Sequence, residues 1–122
     1  MFQSAKSELN RIDNIHCLET FLYSHYLGLA GRVDCIAEFD GELAVIDFKT
    51  STKSKQEDHI EHYFVQETAY AAMFLERAGI EVKKIVTLIA TEEGSTQVFQ
   101  KYNLDDYLQP VSYTHLRAHE TQ

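Results

Sequence analysis

The chain has one proline, two cysteines, no tryptophan and no apolar stretch of eighteen residues. Without such a stretch no membrane-spanning helix is read from the sequence. Residues 1–20 also lack the basic-then-apolar order of a signal peptide, because Lys6, Glu8, Asn10, Arg11 and Asp13 interrupt any hydrophobic run. A cytoplasmic location with no membrane attachment is the resulting expectation. Two cysteines, Cys17 and Cys35, cannot form a four-cysteine zinc or iron–sulfur site within this stretch, and their apolar neighbours point to buried free thiols. Positive charge is scarce too: 11 Lys and Arg against 19 Asp and Glu leave a formal net charge of -8. That balance argues against a nonspecific basic nucleic-acid binder, whose affinity comes from cations neutralising phosphates. Any nucleic acid has to be held locally or through a metal cation.

What is present is an ordinary globular composition of 122 residues, 44% hydrophobic and 25% charged. That length suits a single domain burying about two-thirds of its unfolded surface. Residues 17–26 alternate loosely and read as a strand after a polar lead-in. Residues 29–39 and 43–50 are rich in Val, Ile and Phe and flank Asp40-Gly41-Glu42, where Asp-Gly suits the positive φ angles of a type I′ turn. From Asp58 to Ala78 the period becomes helical, with Ile60, Phe64, Ala71 and Leu75 on one stripe and Gly79 as C-cap. Residues 84–91 and 96–100 read as two more strands and Leu104–Leu108 as a short terminal helix. The order β-β-β-α-β-β-α predicts an α/β fold, a mixed central β-sheet with a crossover helix.

A two-residue turn at Asp40-Gly41 sets an antiparallel register in which paired residue numbers sum to 81. Val33 then faces Phe48, Cys35 faces Ile46 and Ala37 faces Ala44, an apolar face fit to pack against a helix. The other face sets Arg32 opposite Lys49 and Asp34 opposite Asp47. Two carboxylates about 5 Å apart repel by on the order of 3 kcal/mol at an effective dielectric of about 20. A shared proton, the Lys49 ammonium or a bridging divalent cation can relieve that repulsion. The alternative is a solvated hairpin face on which Arg32, Asp34, Asp47 and Lys49 pair off as ordinary surface ions. Leu43 and Val45 share the face, which places the carboxylates at the edge of an apolar floor.

Gly31-Arg32-Val33-Asp34, followed by Val45-Ile46-Asp47-Phe48-Lys49-Thr50, resembles motifs II and III of the PD-(D/E)xK nuclease superfamily, in its RecB-like exonuclease branch. Gln66-Glu67-Thr68-Ala69-Tyr70 matches the QxxxY element of that branch. The resemblance spans roughly residues 17–100, and the phrase DCIAEFDGELAVIDFKTS is similar to phage-type and mitochondrial genome-maintenance-type exonucleases. It implies a restriction-endonuclease-like core that hydrolyses DNA with Mg²⁺ or Mn²⁺. Asp34, Asp47 and the backbone carbonyl of Phe48 would be metal ligands by this resemblance. Lys49 would orient the attacking water or stabilise charge on the phosphate, and Gln66 and Tyr70 would position the reacting groups and the substrate strand.

The same resemblance implies a further ligand from a helix well upstream of Asp34. Residues 1–28 read only as lead-in and strand, so the nuclease core, residues 1–110, is expected to be N-terminally truncated. Glu19 is a candidate for the extra carboxylate, equally readable as a strand-edge surface residue. Residues 111–122 resemble a translated sequencing adaptor and are expected to be a non-native tail, which discounts the i, i+4 pair His115 and His119. His59 and His62 read as a solvent-facing helix start, and Lys53 and Lys55 as a charged loop. The expected function is therefore a DNA exonuclease acting on single-stranded or frayed ends. The alternatives are a nuclease-like binding module without turnover and a restriction-type endonuclease; a module without turnover has no need to keep Asp34, Asp47, Lys49, Gln66 and Tyr70 together.

Overall fold

A computed structural model of the chain describes residues 6–102 together with Leu104, Asp105 and Tyr107. The described elements are α1 (Lys6–Leu9), β1 (Ile12–Ser24), β2 (Leu29–Phe39), β3 (Glu42–Ser51), a 3₁₀ turn at Glu57–His59, α2 (Glu61–Ala78), β4 (Lys84–Thr91) and β5 (Thr96–Lys101). The strands form one sheet in the order β1-β2-β3-β4-β5, antiparallel except for the parallel pair β3 and β4. Parallel neighbours need a long crossover, and α2 is that crossover. The mixed sheet with its crossover helix is the α/β architecture expected from the sequence.

Local chemistry explains the ends of these elements. Asp40 and Gly41 adopt φ of 54° and 83°, the paired positive angles of a type I′ turn. The register follows the expected sum, from Phe39↔Glu42 to Cys35↔Ile46. Gly79 takes φ 72° and its N–H donates to the Leu75 carbonyl at 2.9 Å, closing α2 as expected. The helix starts at Glu61 rather than Asp58, because Glu57–His59 forms the tighter turn before it. β1 runs from Ile12 to Ser24 rather than 17–26, and a turn in which Gly28 N–H donates to the Ser24 carbonyl leads into β2. Two non-glycine residues of β1, Asn14 and Glu19, have positive φ, 48° and 49°. Of the expected terminal helix Leu104–Leu108 only Leu104, Asp105 and Tyr107 are described; the segment 111–122, with His115 and His119, lies outside the described residues.

Two apolar layers cover the sheet. On one face Ile36, Val45, Ile85 and Ile89 pack against Ile60, Phe64, Ala71, Met73 and Phe74 around α2. On the other, Cys35, Ala37, Phe39, Ala44, Ile46, Val86 and Leu88 cluster with Ile12, Phe48 and Val98. This corrects the expectation that the Cys35–Ile46 face would carry the helix: α2 lies on the opposite face. Val33 departs from it too, joining the helix-side cluster. The reason is a break in alternation where the partners Thr20↔Val33 and Leu18↔Cys35 bracket Glu19 and Asp34, with Glu19 in a left-handed conformation. Leu75 is exposed, so the buried stripe of α2 is Phe64, Glu67, Thr68, Ala71 and Phe74. β4 is buried along its whole length, as a strand between two neighbours with both faces covered must be. Both cysteines are free, Cys35 buried and Cys17 half-buried. Among the described residues no helix is long and apolar enough to cross a membrane.

Candidate active site

β3 supplies Asp47 and Lys49, and its parallel pairing places Asp47 beside Thr87 on β4. Asp47 is only 6% exposed. Its Oδ2 lies 3.1 Å from Lys49 Nζ, yet no hydrogen bond of acceptable angle reaches that buried oxygen. Asp34, from β2, is tied in differently: its Oδ2 accepts a hydrogen bond from the Phe48 backbone N–H at 3.0 Å. The ladder of β2 and β3 runs only to Cys35↔Ile46, so in place of the expected direct pairing with Asp47, the Asp34 side chain reaches across to the backbone of Phe48.

The electrostatics follow from burial. Desolvation first, then the hydrogen-bonding contact with Asp34, pushes the Asp47 carboxyl up to about 7, against the opposing pull of Lys49. Burial works against the Lys49 ammonium, but the Asp47 charge 3.1 Å away outweighs it and raises the lysine further. Lys49 Nζ also stands 4.8 Å from the centre of the Tyr63 ring, so an aromatic face screens the cation from water.

α2 closes the site from above. Gln66 Nε2 donates to the Tyr70 hydroxyl at 3.3 Å, the i, i+4 contact expected on one helix face. Tyr70 in turn lies against Gly31, where an added Cβ would stand 2.9 Å from Tyr70 Cε1 and 3.0 Å from its hydroxyl oxygen. The glycine of Gly31-Arg32-Val33-Asp34 is therefore needed for the close approach of β2 to the tyrosine.

The structure brings Asp34, Asp47, Phe48 and Lys49 together beside α2, which carries Gln66 and Tyr70. It does not bring Glu19 to them. Glu19 is engaged by Arg32 at 3.2 Å in an exposed ion pair. Phe48 enters through its N–H, while its carbonyl sits on β3 between Asp47 and Lys49. His59 and His62 are exposed, and the His62 ring lies tilted against Tyr63 with centroids 4.2 Å apart. Lys55 is fastened by its backbone, its N–H donating to Gln97 Oε1 at 2.8 Å and its carbonyl accepting from Gln97 Nε2 at 2.9 Å.

Two residues escaped the sequence reading. Glu67 is fully buried on α2, with its oxygens 2.7 and 2.6 Å from Thr87 Oγ1. Its signal was a carboxylate inside the apolar stripe, three residues after Phe64 and four before Ala71. Thr87 gave no signal, because a threonine in a strand is unremarkable.

Among the described residues no three His, Cys, Asp or Glu side chains are grouped so as to hold a metal ion by themselves. The donors on hand are the Asp34 and Asp47 carboxylates and neighbouring backbone carbonyls. Such a set suits a hard divalent cation that keeps several waters. The buried, unbonded Asp47 Oδ2 fits that role, since an orphaned acceptor in the interior otherwise costs about 1–3 kcal/mol.

Comparison with known proteins bears on the fold and the family. Mitochondrial genome maintenance exonuclease 1 of Homo sapiens is 38% identical to the chain over 53 residues, and that of Mus musculus 40% identical over 53. These stretches cover 43% of this chain but 15% and 16% of the relatives, so the match spans about a sixth of the mitochondrial proteins. A solved structure of a Eubacterium rectale protein, assigned as an exonuclease, superposes with a TM-score of 0.59 at 12% identity. It covers 93% of this chain and 49% of that one, and shows the fold. The profile of the PD-(D/E)XK nuclease superfamily matches residues 2–116. With nearly its whole length matched, the chain belongs to the PD-(D/E)XK nuclease superfamily.

Proposed function

We propose that this chain is the catalytic core of a divalent-metal-dependent nuclease that hydrolyses DNA as an exonuclease on single-stranded or frayed ends. The observation that carries the reading is the convergence of Asp34, Asp47 and Lys49, with the Asp47 Oδ2 buried and unbonded beside the lysine. Asp34 and Asp47, with the Phe48 carbonyl, would hold a Mg²⁺ or Mn²⁺ ion. Bound there, the ion supplies an acidified water and offsets charge developing on the phosphate.

The chain's own residues do the rest. The Lys49 ammonium, fixed between Asp47 and the Tyr63 ring, presents positive charge at the point where a scissile phosphate gains negative charge. The Phe48 N–H holds the Asp34 carboxylate in place, so no reorganisation is needed during reaction. Gln66, exposed and bonded to Tyr70, offers its amide to the substrate strand, and Tyr70 keeps the helix at a set distance from Gly31. The end preference finds support in the exonuclease names of the mitochondrial relatives.

The test incubates the protein with end-labelled linear single strands, linear duplexes and circular single strands, in Mg²⁺, Mn²⁺ or EDTA. Cleavage of linear strands alone, abolished by EDTA and reduced at least about 100-fold by Lys49→Ala and by Asp47→Asn, is the expected result. Equal cleavage of circles would replace the exonuclease by an endonuclease. Undiminished cleavage by either variant would remove these residues from the mechanism.

A further inference from the structure

The five residues between β3 and the 3₁₀ turn belong to no strand or helix, yet side chains pin their backbone in place. Ser51 Oγ donates to the Lys53 carbonyl at 2.6 Å. Gln97 on β5 holds Lys55 as a neighbouring peptide group would, accepting from its N–H at 2.8 Å and donating to its carbonyl at 2.9 Å. Two bonds from one planar amide fix both the position and the orientation of the Lys55 backbone.

What this pinned loop displays is positive charge. Lys53 and Lys55 are exposed, and among the described residues neither ammonium forms an ion pair. Exposed Glu92 and Glu93 stand on the neighbouring turn, where the Glu92 N–H donates to the Ser51 carbonyl at 3.0 Å, and they pair with neither lysine. In a chain of net charge -8, two cations held together without a carboxylate partner are a local site for an outside anion.

The sheet register locates that site. Lys49 pairs with Ile89 and Ile89 with Gln97, so the three stand in one row across β3, β4 and β5. Residues paired in a ladder face the same side, and Ile89 packs in the layer beneath α2. Gln97 therefore fastens the loop on the α2 side of the sheet, the side on which Lys49 meets the Tyr63 ring. Two strand spacings, about 10 Å, separate Lys49 from Gln97, the length of about three nucleotides at roughly 3.4 Å each.

We infer that Lys53 and Lys55, positioned by Gln97, bind phosphates of the substrate strand next to the one at Lys49, as the strand passes the carboxyl ends of β3 and β4. This rests on the reading of Asp34, Asp47 and Lys49 as a DNA-cleaving centre. The contacts go to the backbone, so they hold a strand of any sequence in register with the centre.

The test follows binding of a fluorescent oligothymidylate to the 122-residue chain by anisotropy, in EDTA and with Ca²⁺ in place of Mg²⁺, over a range of salt. Lys53→Ala with Lys55→Ala is expected to weaken binding at least about 10-fold at low salt. The slope of log affinity against log salt should become shallower by about 1.4, since each phosphate contact on a single strand contributes about 0.7. Gln97→Leu keeps the charge but removes the pin; it is expected to weaken binding about threefold or more, and to have no effect in the background lacking both lysines. Lys83→Glu makes the same two-unit change in net charge just before β4, whose first residue pairs with Ala44 at the far end of the sheet from Lys49, and should bind within about twofold of wild type. Unchanged affinity and slope without the two lysines, or an equal loss in Lys83→Glu, overturns this inference alone. A Gln97→Leu loss that persists without the lysines overturns the positioning role of Gln97, and the lysine pair carries the test if Gln97→Leu does not fold. A wild-type chain that binds no oligonucleotide under either condition overturns the DNA reading and this inference with it.

Discussion

The backbone N–H of Phe48 donates to Asp34 Oδ2 at 3.0 Å, so the carboxylate from β2 is anchored on the peptide unit that joins Asp47 to Phe48. Removing the acceptor should therefore disturb the fold as well as the chemistry. Asp34→Ala is expected to cost about 1–3 kcal/mol by leaving the N–H unpaired, and Asp34→Asn, which retains an oxygen, clearly less. Urea unfolding of the two variants checks this; equal stabilities would show that the contact contributes nothing.

The pH dependence of the metal-free protein has a definite sign. Asp47 is raised from 3.8 to about 7 and Glu67 from 4.5 to about 9, each chiefly by burial. Both bind protons more tightly folded than unfolded, so their stabilising contribution is complete below about pH 4 and is lost as pH climbs through 7 and then 9. The slope approaches about 1.4 kcal/mol per pH unit for each proton by which the two states differ. The urea midpoint is expected to fall between pH 5 and pH 9 in EDTA, to fall less in Asp47→Asn, and to recover at pH 8 on adding Mn²⁺. A midpoint that rises over that interval would contradict the buried pair.

Glu76 governs the opposite limb. Its oxygens accept hydrogen bonds from Ser24 Oγ at 2.7 Å and from the His25 N–H at 3.0 Å, fastening the end of β1 to α2. The Ser24 bond foremost holds its carboxyl down at about 2, from 4.5. A lowered carboxylate stabilises above its unfolded value, and that contribution disappears as pH falls through about 2. Glu76→Gln is expected to flatten the acid limb below pH 4.5 while leaving the alkaline limb unchanged, which a melting series from pH 2 to 9 would reveal.

Gly31→Ala should be destabilising by about 1–3 kcal/mol, because its Cβ would meet the Tyr70 ring at 2.9 Å. The cost should vanish in the background of Tyr70→Ala, which removes the obstructing ring. Additive losses in the double variant would mean that the glycine serves some other purpose.

Thiol chemistry should separate the cysteines. Cys35 is buried, and burial raises its thiol to about 11, whereas Cys17 is half-buried. At pH 8 iodoacetamide is expected to modify Cys17 and to reach Cys35 only as fast as the protein opens. Equal rates for both would contradict the packing of β2.

The hairpin was legible in the sequence because its information is local. Asp-Gly demands positive φ, and alternating apolar residues on each side then fix the register as far as Cys35↔Ile46. Gly79 was equally plain, as a glycine after a helical period. The face covered by α2 was not legible. Strict alternation fails at Asp34, and a period-two count carried through that step assigns Val33 to the wrong layer. Glu67 and Thr87 were missed because their significance arises from β4 lying beside β3, a pairing of residues forty positions apart that neither segment announces.

The left-handed residues of β1 bear on how the chain behaves in concentrated solution. β1 is an edge strand thirteen residues long, and Ile15, Leu18 and Phe21 along it are all more than half exposed. A flat edge of that length would template the addition of strands from other molecules. Asn14 and Glu19, with φ of 48° and 49°, interrupt the extended backbone of that edge at a cost of about 1–3 kcal/mol each. Such interruptions make an edge a poor template for a further strand, and Asn14→Val with Glu19→Val is expected to raise the light scattering of concentrated protein above that of wild type.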